Sequence, residues 1–314
     1  MIELAGRIDG ALVALRAIHF AATSVTAGIL LFRFVVTSMV TIPDQAAVQL
    51  VRVQGLEVAG LAWATTLVSG LIWFALQTAA MSGLDFTEAM TVDVLSTVIR
   101  HTQFGWVCSV RLVLAVILAG CLAVDRHPAA RALGLISAIG LVAAVAWTGH
   151  AAATLGQAGS LHLAADALHL IAAAAWAGGL FALIRLIATL RRRPARAGFL
   201  RGAIRSFSIL GIVAVATLLL TGAVNSWLLV GSWRALAVTD YGLLLTLKIG
   251  LFVVMVGIAA VNRLWLTPRL SAPEIAGEAL ARLRRNSLIE LSLAIAIFAI
   301  VGWLGTLHPA IHFF

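Results

Sequence analysis

Eight long apolar runs, near residues 11–40, 55–81, 104–124, 132–152, 160–188, 206–231, 241–265 and 286–307, decide what this chain can fold into. Each reaches the roughly 17–25 residues that a helix needs to cross the hydrocarbon of a bilayer. A backbone in hydrocarbon must satisfy its own hydrogen bonds, so only helices and closed β-barrels span. These runs are too long and continuous for barrel strands, which alternate over about 9–11 residues. The expected fold is therefore all-α: one polytopic integral membrane helical bundle of about eight transmembrane helices, a single transmembrane domain over 1–314. Composition agrees. The chain is 62% apolar and 11% charged, where a soluble domain would be roughly 45–50% apolar and ~25% charged. The opening MIELAGRIDG is a poor signal-peptide n-region, so the first run is expected to stay as a span.

The arginines orient the bundle. The loop LRRRPARAGFLRGAIR carries arginines at 191, 192, 193, 196, 201 and 205, and the loop after the seventh run carries Arg269, Arg282, Arg284 and Arg285. The turn DRHPAAR adds Arg126 and Arg131. The alternate loops are poor in positive charge: 82–103 sets Asp85, Glu88 and Asp93 against Arg100, and 153–159 has no charge. Under the positive-inside rule the basic loops are cytoplasmic. Eight spans then leave both termini outside, in the periplasm of a bacterial inner membrane. The net charge of +9 becomes an orientation signal, helped by anionic lipid. No basic-aromatic patch suggests nucleic acid. No Walker A pattern, no strand-borne G-x-G-x-x-G and no internal sequence repeat stand out. Cys108 and Cys121 lie on one span, about 20 Å apart along a helix, too far to bond to each other. Trp147, Trp227, Trp233, Trp265 and Trp303 fall near span ends, as an interfacial belt would.

On this topology, histidine is one-sided. His19, His101, His150, His162, His169, His308 and His312 map to the outer half, and His127 alone to the inner side. Histidine is costly in hydrocarbon and is a common transition-metal ligand. The fifth run begins SLHLAADALHLIAAAAWAGGL. At 100° per residue His162, Asp166 and His169 share one stripe, which Trp176 continues. An acid between two histidines can be a ligand, or an acceptor that fixes an imidazole tautomer. The bland alternative is a polar contact between helices. The short link TLGQAG makes runs four and five a hairpin and brings His150 to the top of run five. We therefore expect a metal site of His150, His162, Asp166, His169 and His19, with His308, His312 and His101 as further candidates.

Three intramembrane charges need partners. Arg111 and Lys248, the sole lysine, lie at the depth of Asp166, and either is expected to pair with it. Glu290, near the inner end of the last run, is expected to pair with Arg263 or Arg285. The five methionines form no cluster, so thioether-based Cu(I) conduction has no support. Imidazole suits Cu(II), Zn, Ni and Fe alike. No nucleophile–base pair suggests an enzyme.

Several segments taken together resemble the CopD copper-resistance membrane proteins. They are R-H-T-Q-F-G-W-x-x-x-x-R (100–111), T-G-H (148–150), D-A-L-H-L-x-A-A-A-x-W-A-G-G-L (166–180), T-G-A-V-N-S-W (221–227), D-Y-G-x-L-L-x-L-K (240–248) and N-R-x-W-L-x-P-R-L (262–270). The resemblance implies a multi-pass plasma-membrane protein of copper homeostasis. Such a protein moves copper ions across the inner membrane and often works with a periplasmic CopC partner. This sequence carries no CopC-like soluble domain, so that partner would be a separate protein. Apart from the resemblance, a haem-binding electron-transfer protein is the alternative, with His150 and His169 as axial ligands of a single outer haem b. Transmembrane electron transfer would also need inner-half histidines, and no span supplies one.

Overall fold

A computed structural model describes residues 2–40 and 44–313, with side chains described except at 2–9, 273, 274, 312 and 313. The described residues form helices and no strand. Eight helical segments are long and apolar enough to cross a membrane. The principal helices are α1 (Ile2–Met39), α2 (Gln45–Ser82), α3 (Phe86–Ala89), α4 (Val92–His101), α5 (Gln103–Ala123), α6 (Pro128–Ala143), α7 (Gly156–Leu190), α8 (Ala197–Val230), α9 (Trp233–Val238), α10 (Asp240–Val261), α11 (Thr267–Arg269) and α12 (Pro273–Leu304).

The start of α1 and the end of α12 lie at the same end of the bundle, where Gly302 meets Val13 and Ala17 and Gly305 meets Arg16. We call this the terminal end and the opposite one the arginine-rich end. Several helices outrun their apolar cores. At 38 residues, α2 would be about 57 Å long, far beyond the ~30 Å hydrocarbon layer. Its extra turns, like those of α8 and α12, lie at the arginine-rich end and carry the polar residues of those loops.

Two helices form the centre. Buried residues run nearly the whole length of α7, among them Ala174, Trp176, Leu180, Leu183 and Ile187. Its facing partner α1 buries Ala27, Ile29, Phe32 and Val36. A run of alanine and glycine lets the two backbones touch: a Cβ on Gly178 would meet the Gly28 Cα at 2.8 Å. Close backbone approach through small residues is the usual basis of helix association in lipid, where apolar burial gives little drive. The peripheral helices turn Val113, Val116, Leu220, Val253 and Ile295 outward, as lipid-facing surfaces do. The end-of-span tryptophans are exposed, Trp227 at 75% and Trp233 at 88%, while Trp73 and Trp176 are buried.

Local chemistry explains two departures from plain spans. The α-helix of the fourth run stops at Ala143 and continues as 3₁₀ turns over Ala144–Thr148 and His150–Ala153. Thr148 Oγ1 donates to Val145 O, and Gly149 is extended between the turns, so the chain leaves helical register before His150. After α10 the chain widens into a π-turn over Asn262–Leu266. Pro268 follows, and it has no N–H and a ring that excludes the carbonyl four residues back. The Asn262 carbonyl accepts from both the Thr267 backbone N–H and, at 2.8 Å, Thr267 Oγ1, which closes the wide turn.

The structure also holds a repeat that the sequence did not reveal. Helices α1, α2, α4 and α5 have counterparts in α7, α8, α9 and α10. In α4–α5, Thr102 Oγ1 donates to Val98 O at 2.7 Å and accepts from Gly105 N at 3.0 Å. In α9–α10, Thr239 Oγ1 donates to Ala235 O at 2.7 Å and accepts from Gly242 N at 3.0 Å. A Cβ on Gly105 would strike Val98 and Ile99, and one on Gly242 would strike Ala235 and Leu236. Hence glycine stands at the same step of both junctions. The Gly28–Gly178 crossing is reciprocal too: Gly28 lies on Ala174 O, and Gly178 on Ser24 O. Both central helices run from the terminal end inward, so the two halves share one orientation. Sequence identity between them is limited to scattered positions, too sparse to read as a repeat.

Candidate functional site

The polar side chains of the terminal half gather in two places. In the first, His19 on α1 is 2% exposed. Its Nδ1 lies 2.9 Å from Ser69 Oγ on α2. Ser69 Oγ donates its proton to Thr65 O at 2.6 Å, so it accepts from the imidazole. That fixes the proton on Nδ1 and leaves the Nε2 lone pair for Arg111 of α5, whose Nη2 donates to it. Arg111 Nη1 donates to Leu141 O at 2.6 Å. Beside them the Arg16 guanidinium lies 5.3 Å from the Trp73 ring, a cation–π contact.

The second place belongs to α7, α8 and α10. His169 Nδ1 lies 2.9 Å from Thr221 Oγ1, and Thr221 Oγ1 donates to Thr217 O at 2.6 Å. The tautomer is fixed as before, with the proton on Nδ1. No hydrogen bond fills Nε2 of His169 among the described residues. One turn towards the terminal end, Asp166 Oδ1 accepts from Asn225 Nδ2 at 3.2 Å. Lys248 stands within electrostatic reach of both Asp166 and His169, and Tyr241 stands near Asp166. The expected partnership of Asp166 is thereby resolved. Lys248 is its neighbouring cation and Asn225 its direct partner, while Arg111 belongs to the other place.

Nearer the terminal end, His162 is buried and its Nδ1 lies 2.8 Å from Thr154 Oγ1. His150 is within electrostatic reach of His162, as the hairpin predicts. His150 Nε2 donates to Leu304 O at 3.2 Å, and its ring packs edge-on to Tyr241. Of His150 and His169, the pair a haem would use, His150 has its Nε2 bonded to the Leu304 carbonyl. His101 and His308 are exposed, as is His127, while the side chain of His312 lies outside the described residues. Among the described residues, no three His, Cys, Asp or Glu side chains converge closely enough to hold one metal ion. The predicted ligands descend α7 as a ladder.

At the arginine-rich end the expectation for Glu290 is corrected. Its Oε1 accepts from Asn262 Nδ2 at 2.6 Å, and Trp176 lies within hydrogen-bonding reach. Arg263 turns away to Ser208 Oγ at 2.7 Å. The π-turn aims Asn262 inward and Arg263 outward, which a regular helical count does not reveal. Glu290, Asn262 and Trp176 line a largely apolar cavity of about 330 Å³ between α7, α8, α10 and α12. Missed altogether was Asp125, buried and chelated by Arg33 at 2.9 Å and Arg52 at 2.8 Å. Its place in a basic turn hid its role.

Comparison with known proteins now decides the family. A model described as "Copper resistance protein D" matches residues 201–304, and one described as "Copper resistance protein D-like, N-terminal domain" matches residues 7–160. Copper resistance protein D of Pseudomonas syringae pv. tomato is 31% identical over 256 residues, covering 77% of this chain and 80% of that protein. The chain belongs to the copper resistance protein D family. Inner membrane protein YebZ of Escherichia coli (strain K12) is 28% identical over 297 residues, covering 95% of this chain and 98% of that protein. No solved structure matches. With eight apolar helices and these relatives, this copper resistance family member is a multi-pass inner-membrane protein.

Proposed function

We propose that this protein moves copper ions across the bacterial inner membrane, taking them up at the terminal end along the polar face of α7. Copper here is the cargo. One observation carries the reading: His162, Asp166 and His169 share one face of α7, and among the described residues no hydrogen bond fills the Nε2 lone pair of His169. An imidazole with its proton fixed on Nδ1 by a hydroxyl presents Nε2 as a ready metal ligand. His150, beside His162, extends the ladder to the surface. Lys248 supplies a positive charge that keeps Asp166 matched while no metal is present, and an arriving cation would take over that carboxylate. His19, His101, His308 and His312 are additional candidates on the same side. We place this end in the periplasm, where a separate CopC-like protein would deliver or receive copper, and we assign the chain no enzymatic activity.

The test is copper flux into proteoliposomes that enclose a copper-responsive dye. Wild-type protein should carry copper. His162→Ala and His169→Ala should lower the rate markedly, while His127→Ala, at the opposite end, should leave it unchanged. Equal rates in all three variants would sink the assignment, and absence of flux in the wild type would sink the transport reading.

A further inference from the structure

The two polar places described above occupy the same position in the two halves. His19 precedes Gly28 by the same step as His169 precedes Gly178, and these glycines touch at the crossing of α1 and α7. Ser69-Gly70 on α2 matches Thr221-Gly222 on α8, with the glycine of each pair facing the imidazole Cε1. The histidine–hydroxyl distance is 2.9 Å in both, and the hydroxyl-to-carbonyl distance is 2.6 Å in both. Arg111 follows the Thr102 cap by the same step as Lys248 follows the Thr239 cap. Each half therefore builds a buried imidazole, a hydroxyl that fixes its tautomer, and a cation on the third helix.

The copies differ where charge is concerned. Three residues before the histidine stands Arg16 in the first half and Asp166 in the second. Four residues after the hydroxyl stands Trp73 in the first and Asn225 in the second. These positions also contact one another in each half: Arg16 lies over Trp73, and Asp166 accepts from Asn225. The contact is kept while its chemistry is exchanged as a pair. In the first copy the Nε2 lone pair is filled by Arg111, and Arg16 adds a second guanidinium. No carboxylate pairs with either among the described residues. In the second copy Nε2 is unfilled, and Asp166 offsets Lys248. Charges in the low-dielectric interior interact strongly. Two guanidiniums beside a filled imidazole exclude a metal cation, whereas a carboxylate beside an unfilled one attracts it.

We infer that the chain carries two copies of one intramembrane site, of which the second, His169 with Asp166, is the metal-binding copy, while Arg16 and Arg111 close the first copy to cations. This inference rests on the copper reading and narrows it, because it removes His19 from the ligands and makes it a positioning residue that holds Arg111. Position 16/166 is then the determinant of which half takes the metal.

The experiment is equilibrium dialysis of the purified full-length protein against Cu(II), with copper counted per chain. His169→Ala should lose the copper that the wild type binds, and His19→Ala should retain it. The triple change Arg16→Asp, Trp73→Asn and Arg111→Lys gives the first copy the charges of the second, and it should gain a second bound copper. His19→Ala added to that triple variant should abolish the gain. Loss of copper in folded His19→Ala equal to that in His169→Ala would overturn the inference while leaving the copper reading intact. So would a folded triple variant without the gain. A wild-type chain that binds no copper would overturn both, and only that result touches the broader reading.

Discussion

Gly28 and Gly178 lie backbone to backbone where α1 crosses α7, each against a carbonyl of the other helix. This crossing joins the two halves of the bundle. A side chain at either glycine has no flexible neighbour to displace, only backbone. Gly28→Leu or Gly178→Leu should force the helices apart and cost about 1–3 kcal/mol or more, the range for overpacked interiors. Thermal melting in detergent should show it. Gly60→Leu, whose Cβ would meet nothing within 4 Å, is the control and should melt as the wild type does.

Asp125 should be the strongest stability determinant at the arginine-rich end. It accepts from Arg33 and Arg52, with a side-chain exposure of 6%. Removing one partner of a buried ion pair costs about 3–5 kcal/mol, because the remaining charge stays buried and unpaired. Asp125→Ala should therefore lower the melting temperature more than Asp44→Ala, which loses a half-buried contact of 3.6 Å to Arg196 and the N-cap hydrogen bond from Ala47 N, a cap worth about 1 kcal/mol. Equal effects would mean that Arg33 and Arg52 find other partners.

Glu290 should behave as a hydrogen-bond acceptor for Asn262. Glu290→Gln keeps an oxygen for Asn262 Nδ2 and should change stability by less than about 1 kcal/mol. Glu290→Ala leaves that buried donor unsatisfied and enlarges the cavity, at a cost of about 1–3 kcal/mol. If the glutamine variant is the more damaged of the two, the carboxylate's charge matters and Arg263 must contribute despite its contact with Ser208.

Asp166→Asn should retain the contact with Asn225 while removing the charge that Lys248 faces. If Asp166 supports a metal held by histidine, copper affinity should fall by roughly 10–100-fold, as for outer partners of metal ligands. Complete loss of copper in a folded variant would make Asp166 a direct ligand. Unchanged affinity with a lower melting temperature would make it a structural partner alone.

Both termini should lie outside the cytoplasm. The arginine-rich loops all fall at the end of the bundle opposite the termini, and the positive-inside rule holds such loops in the cytoplasm. A C-terminal reporter that works only in the periplasm should be active, and a cytoplasm-only reporter should be silent. The reverse pattern would invert the side on which the histidine ladder opens.

The candidate site was legible in part, and particular residues show where legibility ends. The stripe of His162, Asp166 and His169 follows from helical period alone, because residues spaced by three and four share a face. The nearness of His150 to His162 follows from a short hairpin link. The partner of Asp166 did not follow. Arg111, Lys248 and Asn225 all lie on other helices, and depth alone cannot say which of them faces it. Depth likewise offers Glu290 the inner-surface arginines Arg263 and Arg285, whereas the π-turn presents the amide of Asn262 instead.

The sequence by itself determined the class, the spans and their alternation, because transfer of apolar residues into hydrocarbon depends on composition and length and not on neighbours. It also determined which end carries the arginines and which the histidines. Tertiary structure alone decided which side chains meet: Arg111 with His19, Asn225 with Asp166, Arg33 and Arg52 with Asp125. It alone exposed the duplication, because the two halves preserve backbone contacts and hydrogen bonds at Ser69 and Thr221, or Gly105 and Gly242, while nearly every lipid-facing residue is free to change. Lipid asks of those residues only that they be apolar, so the sequence retains little trace of a repeat that the packing retains in detail.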